Sequence, residues 1–109
     1  MPPVISPAIS EEVRVRLEQY LDEKFDKFLG NKGYVRVENF VLDVTRITAS
    51  VLLRYKHDNG VFTTTDKFRI TLDFDVFGSS RTEFCTTIFG QRACVSTDDL
   101  SFLSSLIPH

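Results

Sequence analysis

The sequence predicts an α+β protein built in two layers. A long N-terminal helix packs on an antiparallel meander sheet of four to five strands, and a short helix follows at the C-terminus. Three observations predict this fold: helical spacing of apolar residues over 10–29, alternating apolar residues over 67–77, and a short apolar stripe in the tail. Because a half-apolar helix and a half-apolar sheet must each bury one face, they are expected to cover each other.

Length and charge limit the classes of protein that the chain can belong to. Its 109 residues suffice for one domain, which we expect to span residues 10–109. Thirteen Lys and Arg against fifteen Asp and Glu give a net charge of −2, whereas dedicated nucleic-acid binders are usually basic. No apolar run approaches the roughly 20 residues that span a bilayer, so no membrane association is predicted.

The N-terminal segment is predicted to be an extended arm followed by the long helix. Residues 1–9 hold three of the four prolines, which disfavour helix. Ser10 is the expected N-cap, and the helix is expected to end near Leu29, before the turn at 30–33. The apolar stripe of this helix comprises Val13, Leu17, Tyr20, Leu21, Phe25 and Phe28.

Residues 34–57 contain neither Gly nor Pro and are rich in strand-forming residues. A single strand of this length would be too long for a small domain. The sequence therefore predicts a break, at either Asn39 or Asp43, and does not choose between them.

Asn59-Gly60 lies between apolar-rich runs, which is typical of a two-residue type I′ hairpin turn. This turn predicts a register in which apolar residues face each other on one side of the two strands. The predicted cross-strand pairs are Val51–Phe68, Ala49–Ile70 and Ile47–Leu72.

The strand over 67–77 is followed by a predicted three-residue loop at 78–80, which would pair Phe74 with Phe84 and Ile70 with Ile88 on the next strand. A turn at Phe89-Gly90 then sets Cys85 opposite Cys94. Two cysteines are too few for a disulfide scaffold, and we expect both to be free thiols.

The tail is predicted to form a short helix that begins at residues 96–99 and ends at Pro108. Its apolar stripe comprises Leu100, Leu103, Leu106 and Ile107.

The solvent face of the predicted sheet is polarised in charge. Its basic half, near the hairpin tip, comprises Arg54, Lys56, Lys67 and Arg69, and its acidic half comprises Asp73, Asp75 and Glu83, with Arg46 among them. Such a face favours an oriented contact with a partner or with a second copy of the chain. Mixed charges on an ordinary solvated sheet face are the alternative interpretation.

We assign no catalytic residue, metal ligand or cofactor from the sequence. His57 stands beside an exposed turn. The carboxylates of Asp73 and Asp75 could share a proton or a metal, but a cross-strand ion pair between Arg46 and Asp73 explains their arrangement as well. The residues assigned to partner binding are Pro3, Val4, Ile5, Arg54, Tyr55, Lys56, Phe62, Lys67 and Arg69.

These features predict a non-enzymatic structural or interaction protein that acts in a homo-oligomer or a larger assembly, such as a virion. Its expected location is the cytoplasm or a particle assembled there. One alternative is a small-ligand-binding domain or small enzyme with a Phe-lined pocket between sheet and helix. The other is a nucleic-acid accessory factor that uses the basic hairpin face.

Overall fold

The computed structural model describes residues 6–29, 33–58, 63–78, 81–88 and 90–107, without the side chains of 27–29, 55–58 and 63–66. The elements are an α-helix α1 (Pro7–Leu29), strands β1 (Gly33–Asp43), β2 (Arg46–Asp58), β3 (Thr63–Asp75), β4 (Glu83–Ile88) and β5 (Gln91–Ser96), and a 3₁₀ helix (Ser101–Leu106). The predicted α+β class is confirmed.

Helix α1 begins earlier than the sequence predicts. Ser6, rather than Ser10, caps it: the Ser6 Oγ accepts a hydrogen bond from the backbone N–H of Ile9 at 3.2 Å. Pro7 then occupies the first helical position, where its missing N–H costs nothing. The helix buries one apolar stripe, which comprises Val13, Leu17, Leu21 and Phe25.

Strand β1 contains a β-bulge at one of the two predicted break positions. Glu38 pairs with Ser50 but Val41 pairs with Thr48, so two residues of β1 oppose one of β2. Asn39, in the bulge, has a positive φ of 53°, a conformation that Asn tolerates well. The bulge reverses the alternation, so that Leu42 packs against the core, where the uninterrupted alternation would have placed Val41.

The break between the first two strands lies directly after the other predicted position, Asp43. Asp43 pairs with Arg46, so Val44 and Thr45 form a two-residue turn. Val44 has a φ of 56°, which is costly for a β-branched residue.

The predicted register between β2 and β3 is wrong by two residues. Asp58 pairs with Thr63, whereas the two-residue turn predicted at Asn59-Gly60 would pair Asp58 with Val61; residues 59–62 themselves lie outside the described residues. An even shift keeps every side chain on its predicted face. It also adds an apolar pair, since the inner pairs are Leu53–Phe68, Val51–Ile70, Ala49–Leu72 and Ile47–Phe74.

The five strands form two sheets rather than the single meander expected from the sequence. One sheet has the order β1-β2-β3, and β4 pairs only with β5 among the described strands. The predicted neighbours Phe74 and Phe84 are nonetheless in contact, with ring centroids 6.0 Å apart. Strands β3 and β4 therefore meet through side chains instead of a hydrogen-bonded ladder.

The β4–β5 hairpin has the predicted register, with Cys85 opposite Cys94 and Ile88 opposite Gln91. The last helix begins later than the sequence predicts, at Ser101, because residues 97–100 form a turn in which Ser96 and Asp99 exchange hydrogen bonds in the manner of a capping box. The helix that follows is of the 3₁₀ type.

One hydrophobic core joins α1, the inner faces of both sheets and the C-terminal residues. The edge of β1 is covered by the helix, since the carboxylate of Glu18 accepts a hydrogen bond from the Val37 N–H at 3.0 Å. The opposite face of the three-stranded sheet, which we call the open face, is largely exposed. The core therefore lies on one side of this sheet only.

Candidate functional site

The open face is divided by charge along the strand direction. Its basic half comprises Arg36, Arg54, Lys67 and Arg69, and its acidic half comprises Asp43, Asp73 and Asp75, with Arg46 among them. Glu38 lies near the boundary, beside Ser50. Most of these side chains are exposed, so their charges are available to a partner.

The charges along strand β3 are arranged symmetrically about its central open-face residue, with opposite signs on the two sides. From Lys67 onward, where the side chains of β3 are described, its open-face residues are, in order, Lys67, Arg69, Thr71, Asp73 and Asp75. Two cations precede Thr71 and two carboxylates follow it at equal spacings. Reversing the strand direction about Thr71 exchanges the two signs, so the strand is complementary to an antiparallel copy of itself.

Two arginines and a tyrosine form the centre of the basic half. The guanidinium carbon of Arg36 lies 5.6 Å, and that of Arg54 5.9 Å, from the ring centroid of Tyr34, within the range of cation–π attraction. Arg54 Nη1 also donates a hydrogen bond to the Tyr34 hydroxyl at 2.9 Å. Arg54 Nε is buried, and no partner for it lies among the described residues. These contacts hold two guanidinium groups near one another at the surface.

An ion pair orders the acidic half. Arg46 Nε lies 2.8 Å from Asp73 Oδ1, although Asp75 is the ladder partner of Arg46. The hydrogen bond from Arg46 to Asp73 raises the pKa of the Arg46 guanidinium. The ion pair inferred from the sequence is therefore present, across a diagonal of the corrected register.

Leu52 lies on the open face yet is 3% exposed, and it stands outside the hydrophobic core cluster. Its ladder partners are Arg36 and Arg69, whose aliphatic stems can cover an apolar neighbour. Leu52 is thus an apolar centre within the basic half.

The structure unites three of the residues assigned to partner binding. Arg54, Lys67 and Arg69 lie together on the open face, with Arg54 paired to Lys67 and Leu52 to Arg69. The backbones of Tyr55 and Lys56 belong to β2, but their side chains, like that of His57, fall outside the description. The remaining assigned residues, Pro3, Val4, Ile5 and Phe62, lie outside the described residues.

Sequence reasoning missed Tyr34 and Arg36. Both lie on β1 before the bulge, and their place on the open face depends on the β1–β2 register. The sequence left the strand break open, so it could not bring these residues beside Arg54. The alternation of Tyr34 and Arg36 with Val35 and Val37 was the signal that could have found them.

The expectation of two free thiols is wrong in this structure, because Cys85 and Cys94 form a disulfide. Both sulfurs lie beside Arg92, whose Nη2 is 3.4 Å from Cys85 Sγ and whose Nε is 3.3 Å from Cys94 Sγ. Glu83 lies close enough that its carboxylate and the two sulfurs fall within 4.8 Å of one another. Direct opposition on adjacent strands, which the sequence did predict, supplies the proximity that a disulfide needs.

A shallow groove of about 250 Å³ lies between α1 and the 3₁₀ helix, lined by Arg16, Gln19, Tyr20, Glu23 and Phe102. The ring centroids of Tyr20 and Phe102 are 5.3 Å apart. The groove is therefore not the Phe-lined pocket between sheet and helix that one alternative predicts.

No protein-family model, curated protein or solved structure matches this chain. Within the described part of the chain, no helix combines the length and the apolar character needed to cross a membrane.

Proposed function

We propose that this protein is a non-enzymatic structural or interaction protein that acts in a homo-oligomer or a larger assembly, such as a virion or another self-assembling particle. The observation that carries the proposal is the antisymmetric charge order of β3 on the open face. A second copy of the chain is the occupant that this order fits.

The symmetry of the contact follows from the charge order. A two-fold axis that lies in the contact plane and crosses β3 at Thr71 places Arg69 of one copy over Asp73 of the other, and Lys67 over Asp75. Both copies then use the same patch, as in an isologous dimer. Along β3, like charges would face each other if the strands ran parallel, so the β3 charges favour the antiparallel orientation. The same axis brings Arg46 on β2 towards Arg54 of the other copy, which opposes part of this attraction.

We further propose that the arm residues Pro3, Val4 and Ile5 and the hairpin residues Tyr55, Lys56 and Phe62 contact neighbouring subunits. Proline restricts the free arm, so ordering it on a neighbour costs little entropy. Aromatic residues are enriched at the centres of interfaces. The β2–β3 pairs beyond Tyr55 extend past the end of β1, which supports a projecting hairpin.

The proposed location is the cytoplasm or a particle assembled there. Disulfides are uncommon in reducing compartments, so the cysteine pair would there be reduced for at least part of the time.

Analytical ultracentrifugation at low and physiological salt tests the symmetric contact. The substitutions Arg69→Glu and Asp73→Lys should each weaken self-association at least about fivefold, because each breaks two symmetry-related contacts worth about 0.5–1 kcal/mol. The double variant restores opposite charges and the original net charge, so its association should recover. Arg16→Glu, on α1, makes the same charge change away from the open face and should have no effect.

A chain that stays monomeric at millimolar concentration would refute self-association. A double variant as weak as the single ones would refute the antiparallel arrangement. Deleting residues 2–5, which spares the Ser6 cap, or changing Phe62 to Ser should reduce oligomer size while circular dichroism stays unchanged. Full assembly in both variants would remove the arm and the hairpin from the proposal.

A further inference from the structure

The disulfide lies on the solvent side of the β4–β5 hairpin. Ile88, Ala93 and Val95 point from the other side of the hairpin into the core, whereas Cys85 and Cys94 are partly exposed. An external thiol can therefore approach the sulfurs without opening the core.

The charges around the sulfurs favour a thiolate at this position. The Arg92 guanidinium contacts both sulfurs, at 3.3 and 3.4 Å, and a cation at this distance stabilises a negative sulfur. Glu83 opposes it, but the Glu83 carboxylate lies 3.5 Å from Arg81 Nη2. Arg92 is therefore a cation in contact with both sulfurs, while the opposing charge of Glu83 is paired with Arg81.

We propose that Cys85 and Cys94 form a reversible thiol–disulfide exchange site whose substrates are external thiols, with Arg92 as a positioning residue that stabilises the thiolate. A thiolate of a small dithiol attacks one sulfur, forming a mixed disulfide and releasing the other cysteine as a thiolate beside Arg92. The second thiol of the reagent, deprotonated by solvent, attacks its own sulfur of the mixed disulfide and releases the second cysteine thiolate. The protein gains two electrons and two protons, and the reagent becomes a cyclic disulfide.

The fold is expected to persist in both redox states. Six ladder pairs hold β4 to β5, and the apolar side of the hairpin stays in the core. Reduction changes the chemistry of a surface position rather than the packing beneath it.

The first experiment equilibrates the full chain in glutathione buffers of graded potential. Thiol-trapping mass spectrometry should show a reversible two-electron transition, with an unchanged circular dichroism spectrum in both states. A protein that never forms the crosslink in the most oxidising buffer would overturn the proposal. Loss of the fold on reduction would also overturn it, because the disulfide would then be a structural crosslink.

The second experiment measures the rate at which dithiothreitol reduces the disulfide at pH 7 and low salt. Arg92→Gln should slow the reduction about three- to tenfold, the effect of a unit charge at this distance in a high-dielectric setting. Arg92→Lys should retain most of the rate, and Glu83→Gln should increase it. High salt should reduce the difference in reduction rate between wild type and Arg92→Gln, because it screens the charge of Arg92.

Arg81→Gln is the matched control, because it removes a nearby cation that pairs with Glu83 and Asp98, whereas the guanidinium that contacts the sulfurs is that of Arg92. Its reduction rate should not fall as far as that of Arg92→Gln. Equal reduction rates in wild type and Arg92→Gln would refute the role of Arg92. A reduction rate that falls as far in Arg81→Gln as in Arg92→Gln would refute it too.

Discussion

Replacing Leu72 with alanine is expected to lower the free energy of unfolding by about 3–4 kcal/mol. Leu72 is fully buried, and losing three carbon groups costs roughly 2.4 kcal/mol at about 0.8 kcal/mol each. A cavity that does not collapse adds up to about 2 kcal/mol. The residue across the ladder is Ala49, which is too small to fill the space, so roughly 1–1.5 kcal/mol of this cavity cost is expected to remain and the total is about 3–4 kcal/mol.

Urea unfolding followed by circular dichroism measures the effect, since the chain has no tryptophan. Thr71→Ala is the matched control, because Thr71 is the preceding residue of β3 and is exposed on the open face. It should change the free energy of unfolding by less than about 0.5 kcal/mol. A loss below about 1 kcal/mol for Leu72→Ala would refute the placement of this side chain in the core.

Two further substitutions test local structure. Asp99→Ala should cost about 1 kcal/mol at pH 7 by removing the cap on Ser96. The hydrogen bonds from Ser96 and the nearby Lys24 lower the pKa of Asp99, so this contribution is present above the unfolded pKa and lost as the pH falls below about 4. Equal acid sensitivity of wild type and variant in urea unfolding would contradict this. Val44→Gly should raise the free energy of unfolding by about 0.5–2 kcal/mol, because glycine relieves the positive φ at a modest entropic cost. A destabilised variant in the same assay would show that the turn is not strained.

The sequence predicted the β4–β5 hairpin but misplaced the β2–β3 hairpin. In the first of these, Ile88 pairs with Gln91 as the turn predicted at Phe89-Gly90 requires, so local sequence is enough to predict the register. In the second, Asn59-Gly60 suggested the same kind of turn, yet Asp58 pairs with Thr63 rather than with Val61. Alternation could not detect the error, because its period of two is satisfied by every even shift.

Alternation also explains why the sequence predicted part of the candidate interface on the open face. Arg54, Lys67 and Arg69 were placed on one face by alternation alone, and the even shift kept them there. Tyr34 and Arg36 joined them only through the β1–β2 register. That register depends on the bulge at Asn39, which makes two residues oppose one and which no periodic pattern encodes.

The sequence by itself determined the helix stripe, the inner and outer faces of β2 and β3 and the opposition of Cys85 and Cys94, because each follows from local periodicity or a short turn. The tertiary structure decided the division into two sheets, the disulfide and the contacts of Arg54 with Tyr34 and of Arg92 with both sulfurs. These features depend on packing between distant segments and on exact atomic proximity. Local spacing brings residues to a face, but only the packed chain sets which groups on that face touch.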